Sequence, residues 1–469
     1  MRTSTLIIAT LALGCNIYNS GRSQFFSEAD AQFFGEREGD KAGYALASVG
    51  DVNGLGQGDD IVIGASHAGY HDEGAAYLVF AGTYGFTSLE EAEAVLIGEA
   101  TDDMAGRAVA GAGDINRDGF NDILVGAFGN DAIVEDGGAA YLVHGPVSGE
   151  FNLADADATL RGGNYLGYAG ISVAGNGESN DDGFPDILIG EPHYGTETEG
   201  AVYLFHGPVT GDLRLLQADA KLAGEAEGDH AGYSAAFAGD IDADGIDDIL
   251  VGAYGNDAAG EDAGTAYLVH GPVSGDVSLS QADITLPGTD ERDWAGHAVA
   301  GAGDTNADGY DDFLVGAPSD GLYYREIEPG TAYLYLGPVC SGGECTPAVV
   351  LEGLVEDGWA GFSVAAAGDV NDDLYDDIII GSPFDNWIGP QSSAHAALFY
   401  GPITASCRIR KADAFFFAED RSTLGGLAVA SAGNFSGEGY DSILIGEPGY
   451  SGYQDDAGAA YLWDGISLP

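Results

Sequence analysis

Short apolar runs, bounded by glycine, proline and aspartate, follow one another along nearly the whole chain. In the clearest stretch they occupy residues 108–113, 123–126, 139–144 and 156–160. The first run is built from Ala, Gly and Val, the second is rich in Ile and Leu, and the third alternates with aromatic residues. Runs of this length between turn residues are typical of β-strands, and no helical period is sustained anywhere. The pattern therefore predicts an all-β protein.

This four-run phrase recurs seven times, with a period of about 63 residues. The second run of successive copies begins at Asp60, Asp122, Asp186, Asp248, Asp312, Asp377 and Ser442. Seven copies of four strands predict a seven-bladed β-propeller with four-stranded blades. The small first strand suits the crowded central axis, and the larger second and third strands suit the wider space between sheets.

The first and last copies predict how the ring closes. The seventh copy lacks a fourth strand after residues 460–463, whereas a matching strand, residues 29–35, precedes the first copy and resembles residues 218–224. We predict that this N-terminal strand pairs in the last blade, which removes the exposed edges of an open array. A solenoid would show no such exchange.

The chain is strongly acidic, with 76 Asp and Glu against 15 Lys and Arg and a formal charge of -61. Such a surface repels nucleic acid and anionic membranes, and it attracts metal cations and cationic partners. A solvated surface suited to a salty habitat is the alternative explanation.

The first residues read as an export signal. Arg2 precedes an apolar run, residues 6–13, that is too short to span a membrane. The run ends at Cys15 and resembles a bacterial lipoprotein signal, which implies residues 1–15 as signal, 16–26 as tether, 27–469 as propeller, and a lipid anchor on Cys15 in the outer membrane or outside the cell. An ordinary cleaved signal is the alternative. Of the remaining cysteines, Cys345 could pair with Cys340 or with Cys407 in an oxidising compartment.

Acidic loops between the first and second strands carry the candidate chemistry. In the second copy, oxygen-bearing side chains fall at loop positions one, three, five and nine, position seven offers a backbone carbonyl, and position six is glycine. Calcium takes six to eight such oxygens. Asp-Gly turns alone do not require acids at all these positions, so we predict calcium binding.

Three sites are expected in copies two, four and five, and up to five with copies six and three. The predicted ligands are Asp114, Asn116, Asp118, Phe120 and Asp122; Asp240, Asp242, Asp244, Ile246 and Asp248; Asp304, Asn306, Asp308, Tyr310 and Asp312; Asp369, Asn371, Asp373, Tyr375 and Asp377; and Asn180, Asp182, Phe184 and Asp186. In copy three the first ligand is displaced towards Asn176 or Glu178, in copy six Leu374 replaces the glycine, and the first and seventh loops lack acids at key positions.

These loops, each followed by an apolar strand, resemble the FG-GAP repeats of integrin α subunits. Gly316-Ala317-Pro318 matches the second half of that motif, while the first half is mostly replaced by Ala-Gly-aromatic, as at Ala231-Gly232-Tyr233. The resemblance covers essentially the whole chain after the signal. It implies calcium loops on one face, ligand contacts on the opposite face, and a role in adhesion or protein binding. Without leg domains or a transmembrane helix, a conventional integrin heterodimer is not expected.

No catalytic motif is recognisable, so a non-catalytic protein is expected. His144, His206 and His270 recur at the end of the third strand and read as structural. A structural scaffold of the cell envelope is the alternative function, and a propeller hydrolase or lyase is the less favoured one.

Variable loops on the face away from calcium display aromatic residues beside acids, which are the usual components of a binding surface. We expect a protein or glycan partner at the cell surface, basic or sugar-bearing, and no nucleic acid. The candidate contact residues are Tyr254, Tyr323, Tyr324, Trp387, Trp294 and Trp359.

Overall fold

A computed structural model describes residues 22–318, 329–338, 345–354, 358–384, 394–418, 423–452 and 454–468. These residues form seven sheets of four or five strands, in which the four inner strands are antiparallel. The innermost strands contact one another in sequence, and the last of them contacts the first, so the sheets form a closed ring. The predicted seven-bladed β-propeller is confirmed.

The strands are β1 (Arg22–Phe25), β2 (Ala31–Phe34), β3 (Ala45–Gly50), β4 (Asp60–Ala65), β5 (Ala75–Val79), β6 (Gly85–Ser88), β7 (Ala94–Ile97), β8 (Ala108–Gly113), β9 (Asp122–Ala127), β10 (Ala139–Val143), β11 (Gly149–Asn152), β12 (Ala158–Arg161), β13 (Val173–Gly177), β14 (Asp186–Glu191), β15 (Ala201–Phe205), β16 (Gly211–Arg214), β17 (Ala220–Ala223), β18 (Ser234–Gly239), β19 (Asp248–Ala253), β20 (Thr265–Val269), β21 (Gly275–Ser278), β22 (Ile284–Pro287), β23 (Ala298–Gly303), β24 (Asp312–Ala317), β25 (Thr331–Tyr335), β26 (Val349–Glu352), β27 (Ser363–Gly368), β28 (Asp377–Ser382), β29 (His395–Phe399), β30 (Cys407–Arg408), β31 (Ala414–Phe417), β32 (Val429–Gly433), β33 (Ser442–Glu447) and β34 (Ala459–Asp464).

Helical structure among the described residues consists of single 3-10 turns: Phe26–Glu28, Leu89–Glu91, Leu153–Asp155, Leu215–Gln217, Leu279–Gln281, Ile409–Lys411 and Gly465–Ser467. None of the helices in this part of the chain is long and apolar enough to cross a membrane.

Each blade runs outwards from the axis in strand order one to four. The seven blades are β3-β4-β5-β7, β8-β9-β10-β12, β13-β14-β15-β17, β18-β19-β20-β22, β23-β24-β25-β26, β27-β28-β29-β31 and β32-β33-β34-β2.

A fifth, outermost strand extends six of the described sheets and was not predicted. It comes from the segment that precedes the fourth strand of the next blade; β11, for example, leaves blade two and pairs in parallel with β7 of blade one. The strands that act in this way are β11, β16, β21, β30, β1 and β6. Each joint between these blades is therefore tied by backbone hydrogen bonds at its outer rim.

The N-terminal strand closes the ring as the sequence predicted. Strand β2 pairs antiparallel with β34, placing Ala31 opposite Leu462 and Phe34 opposite Ala459. Phe33 is fully buried and Phe34 nearly so. The last blade thus has its fourth strand from the opposite end of the described chain.

The hydrophobic core lies between the blades. Every residue of the second strands β4, β9, β14, β19, β24, β28 and β33 is buried, because both faces of these strands pack against neighbouring sheets. A glycine in each such strand permits this close approach: a Cβ on Gly126 would lie 2.1 Å from the backbone oxygen of Gly170 in the next blade. The recurrent glycine before the end of this strand is therefore a packing requirement.

Deleting residues 27–35 should leave the edge of β34 unpaired and remove the burial of Phe33 and Phe34. Burial of each ring is worth about 1.5–3 kcal/mol, so we expect loss of at least about 3 kcal/mol and self-association through the open edge. Urea unfolding and light scattering after size exclusion measure both. The control is Phe86→Ala, whose ring is 71% exposed; a deletion variant as monomeric and as stable as this control would show that β2 does not close the ring.

Candidate functional site

The acidic loops lie together where the first strand of each blade turns into the second. In blade two, the Asp114 carboxylate accepts hydrogen bonds from the backbone N–H groups of Asp118 and Gly119, both at 2.9 Å. The Asp118 carboxylate in turn accepts one from Phe120 at 3.0 Å. Equivalent bonds form at Asp240, Asp304 and Asp369. The first and fifth side chains therefore curl the loop so that its oxygens face inwards.

The aspartate at position nine is a fixed, buried carboxylate. Asp122 accepts the N–H of Ile115 at 3.0 Å and that of Gly145 at 2.9 Å, and it is fully buried. Burial raises the pKa of Asp122 and of Asp312 to about 6, and that of Asp377 to about 8. The same burial and two-donor arrangement recurs at Asp60, Asp186, Asp248, Asp312 and Asp377. A buried negative charge of this kind favours a cation beside it.

The donor set fits a hard divalent cation. One carboxylate oxygen from each of Asp240, Asp242 and Asp244 lies within 4.8 Å of the others. All side-chain donors predicted in the five loops are carboxylate or carboxamide oxygens, the ligands that calcium takes in flexible, oxygen-rich loops. Magnesium demands a tighter octahedron and keeps its waters, so the loops suit calcium better.

Two irregular loops keep the arrangement by different means. In blade three, the Glu178 carboxylate accepts the N–H of Asp182 at 3.2 Å, so Glu178 stands at the first position. Strand β13 changes register between Ala174 and Gly177, which explains the displacement seen in the sequence. In blade six, Leu374 adopts the left-handed φ of 73° that glycine has in the other loops.

The first and seventh loops keep the turn but lack part of the donor set. In blade one, Asp51 accepts the N–H groups of Leu55 and Gly56, and Leu55 leaves the fifth position without an acid. In blade seven, Asn434 accepts the N–H of Gly439 at 3.0 Å, and Ser442 stands where the buried aspartate lies in the other blades.

A histidine flanks the loop of blade four. His270 Nδ1 lies 2.9 Å from Asp248 Oδ2 and 3.8 Å from Asp242 Oδ2, and the bond to Asp248 raises the pKa of His270. In blade two, His144 Nδ1 lies 3.5 Å from an oxygen of Asp157. His270 thus lies behind its acidic loop, and the electrostatic effect of His144 on Asp122 and of His206 on Asp186 gives these two histidines the same neighbourhood, which sequence reasoning missed.

In five blades, an aspartate at position eight links the loop to that of the preceding blade. The Asp311 N–H donates to the Asp240 carbonyl at 3.3 Å, and the Asp311 carboxylate accepts the Asp240 N–H at 2.8 Å. This two-way bond, here termed the aspartate clasp, joins position eight of one loop to position one of the preceding loop. It recurs at Asp59, Asp247, Asp376 and Asp441. Burial, together with the neighbouring carboxylates, raises the pKa of Asp311.

The joint between blades two and three is built differently. Pro185 stands at position eight there and has no N–H to donate. Arg117 of blade two instead donates to the carbonyl of Gly183, and its guanidinium lies 3.7 Å from the centre of the Phe184 ring. A cation–π contact and a side-chain bond therefore replace the clasp at this joint.

On the opposite face, a bulky residue precedes Ala-Gly where the chain enters most blades. Trp294 and Trp359 have φ values of 55° and 57°, and His230 and Tyr168 have values of 54° and 58°. The Trp294 N–H donates to the Asp262 carbonyl at 3.3 Å. The same left-handed conformation occurs at Lys41, Met104 and Leu424. The left-handed backbone conformation therefore recurs at this position in every blade, whereas the residue there is aromatic in blades three to six.

These residues form a continuous row of ring contacts, here termed the aromatic arc. Consecutive ring centres lie 4.5 to 6.3 Å apart, and every ring is half-buried. The arc crosses blades two to six. Its members in order are Phe128, Tyr168, His193, His230, Tyr254, Trp294, Trp359 and Phe384.

Of the six predicted contact residues, the structure brings together Tyr254, Trp294 and Trp359. Tyr323, Tyr324 and Trp387 lie outside the described residues. Sequence reasoning missed His193, His230 and the inner ring of His297, which contacts Tyr233 at 5.1 Å and Phe362 at 4.6 Å. The position of His230 before, and of His297 after, a repeated Ala-Gly pair is the signal that would have found these two, whereas His193 follows β14 and has no such signal.

The axis itself holds a cavity of about 610 Å³. Its walls come from the innermost strands and are mostly Ala, Gly and Val, with Phe237 as the large exception and Asp59 and Asn121 at the end nearest the acidic loops. The small side chains that fit seven strands around one axis leave few reactive groups there.

Fold and loops together define a seven-bladed β-propeller with acidic loops on one face. The FG-GAP repeat family matches residues 231–269 and 295–335. The chain is similar to integrin alpha-5 of Xenopus laevis (31% identical over 46% of this chain and 20% of that protein), to integrin alpha-3 of Mus musculus (32% over 48% and 20%), and to integrin alpha-7 of Mus musculus (36% over 36% and 14%). It spans about a fifth of the length of the first two relatives and 14% of the third. The chain is therefore a β-propeller that contains FG-GAP repeats at residues 231–269 and 295–335 and is similar over part of its length to integrin α subunits.

Replacing Asp311 by Ala should break one aspartate clasp. The half-buried Asp240 N–H would lose its acceptor, which costs about 1–3 kcal/mol, and we expect that loss of stability in urea unfolding with chelator present. The control is Asp155→Ala, an exposed aspartate outside the loops. Equal stability of the two variants would contradict a role for the clasp in joining the blades.

Proposed function

We propose that this chain is a calcium-binding, non-catalytic module of the cell surface that binds a protein or glycan through the aromatic arc. The observation that carries the proposal is the arc itself: a row of half-buried rings displayed by a closed, rigid ring of sheets on the face away from the acidic loops. Similarity to integrin α subunits supports an adhesion-type role.

Calcium is the cofactor that the loops favour. Their oxygens are already turned inwards by backbone hydrogen bonds, and the ninth position supplies a buried carboxylate that burial alone destabilises. A cation would offset that cost in each loop. We expect three ions, in blades two, four and five, and up to five with blades three and six.

The partner's chemistry follows from the rings and the charge around them. Acids flank the arc in two groups, Asp131, Glu135 and Asp136 in blade two and Asp257, Glu261 and Asp262 in blade four. Burial, together with repulsion from Asp257 and Glu261, raises the pKa of Asp262. Aromatic faces stack on sugar rings or cationic groups, and the acids select positive charge. A basic or sugar-bearing partner fits both features.

Attachment to the cell envelope is part of this proposal. The lipoprotein-type signal over residues 1–15, with Cys15 as the lipidated residue, lies outside the described residues, as does the segment up to residue 21. An anchor there would hold the propeller at the outer membrane or cell surface. Cys345 is disulfide-bonded, which agrees with an oxidising compartment; Cys340 lies outside the described residues.

Removing one fifth-position ligand should remove one ion. Asp244→Ala and Asp308→Ala should each lose about one bound calcium in native mass spectrometry, and each should reduce the rise in melting temperature that calcium produces. A site filled at a hundredfold excess over Kd contributes about 2.7 kcal/mol. The matched control is Ser442→Ala in the incomplete seventh loop. An unchanged ion count in both aspartate variants, or a melting temperature that chelator leaves unaltered, would exclude calcium from these loops.

Replacing Trp294 and Trp359 by Ala tests the binding face. Screening wild-type protein on arrays of glycans and basic peptides should give single-site, saturable binding, and the two variants should lose at least tenfold in affinity, as central aromatic contacts do. Calcium content should stay unchanged. Phe86→Ala, exposed on the outermost strand β6, is the matched control. Binding that survives both tryptophan changes but is lost with Asp244→Ala would place the partner on the opposite face.

A further inference from the structure

A polar cluster recurs where the chain enters the blades, and blade two shows it complete. Arg161 donates from Nη1 and Nη2 to the two oxygens of Glu99, at 2.9 and 3.1 Å. Asn130 donates to Asp103 at 3.3 Å and to the Tyr141 hydroxyl at 3.0 Å. The side chains of Arg161 and Glu99 are only about 14–15% exposed. A guanidinium and a carboxamide therefore satisfy two buried acids and a tyrosine.

Blade four holds the same cluster without an arginine. Asn256 donates to Asp229 at 3.1 Å and to the Tyr267 hydroxyl at 3.3 Å, and that hydroxyl donates to Glu225. The asparagine is thus sufficient to satisfy the buried aspartate when no guanidinium is present.

Blade one has the acids and the tyrosine but neither of their partners. Glu36, Asp40 and Tyr77 occupy the equivalent positions, while Ala68 replaces the asparagine and Ile97 replaces the arginine. A cavity of about 640 Å³ lies there, and all five residues line it. Blade one therefore lacks the asparagine and arginine side chains that fill the equivalent space in blade two and pair with its acids.

The aspartate in this cavity has an unsatisfied oxygen. Asp40 is 1% exposed. Its Oδ2 accepts the Arg37 N–H at 2.8 Å, whereas its Oδ1 is buried and has no hydrogen-bond partner among the described residues. Leaving a buried carboxylate oxygen unpaired is costly, and burial raises the pKa of Asp40 to about 6.

The cavity differs from the other candidate sites in place and in chemistry. It lies in blade one, between the entering loop that carries Glu36 and Asp40 and strand β11 of blade two, and it contains neither a ring of the aromatic arc nor a loop aspartate. Its size is that of a small-molecule site rather than of a bare ion. Its one lining cation, Arg37, is exposed and lies 4.7 Å over the Tyr70 ring.

We propose that this cavity binds a guanidinium group, held by Glu36 as Glu99 holds Arg161 in blade two, while Asp40 and Tyr77 accept further N–H groups of the ligand where Asp103 and Tyr141 accept those of Asn130. Planar guanidinium donors pair with carboxylates in two-point contacts that an ammonium cannot reproduce. The group comes from an arginine side chain of a polypeptide or from a free guanidine compound. The site stands independently of calcium and of the aromatic arc.

Calorimetric titration of the whole chain with agmatine and with N-acetyl-arginine methylamide tests the proposal. Each should bind at one site, and N-acetyl-citrulline methylamide, which has the same shape without the charge, should bind at least tenfold more weakly. Tighter binding of the arginine amide by tenfold or more assigns the site to polypeptides, and comparable or tighter binding of agmatine assigns it to free guanidines.

Two variants locate the site. Asp40→Asn should weaken agmatine binding at least tenfold, whereas Asp103→Asn, the matched change in blade two, should leave it unchanged. Ile97→Arg copies blade two into blade one and should abolish binding while raising the melting temperature, because the new side chain fills the cavity. Agmatine binding that is absent from folded wild-type protein, equal for citrulline amide, or insensitive to Asp40→Asn overturns the proposal.

Discussion

Neighbouring blades meet through their backbones, and both candidate surfaces depend on that close approach. On the acidic face, position eight of one loop exchanges two hydrogen bonds with position one of the preceding loop. On the other face, short bridges such as Gly138 to Ala169 join adjacent blades beside the aromatic arc. Since one set of contacts fixes the spacing of blades, it also fixes the distance between the acidic loops and the overlap of neighbouring rings.

The fold could be predicted because its determinants are local and repeated. Four apolar runs per copy predicted four-stranded blades. The resemblance of residues 29–35 to a fourth strand predicted that the ring closes by the pairing of β2 with β34. The fifth strand could not be predicted in this way. Strand β11 (residues 149–152) is short and largely exposed, so no hydrophobic pattern marks it in the sequence. Its partner is β7 of another blade, which a local pattern cannot indicate.

The candidate sites also divide into features that lie within one repeat, which could be predicted, and features formed between repeats, which could not. The loop aspartates were predictable because their chemistry lies within nine consecutive positions, whereas Glu178 could not be assigned until the irregular strand β13 fixed its register. The aspartate clasp joins residues about 70 positions apart. The unsatisfied oxygen of Asp40 can be recognised only in the structure, where Ala68 and Ile97 line the same cavity. Features formed by residues of two neighbouring copies can be recognised only in the three-dimensional structure, because the sequence of each copy alone gives no sign of them.

Ring closure by β2 also determines how late in synthesis the propeller can be completed, because its partner strand β34 is made last. About 400 residues separate Phe34 from its partner Ala459, and ribosomes add roughly 5–20 residues per second. The strand that carries Phe33 and Phe34 therefore waits roughly 20 to 80 s before its partner exists, with two large rings lacking their final burial. A chain exported before it folds avoids this delay in the cytoplasm, because both strands then reach the folding compartment unfolded and can pair there.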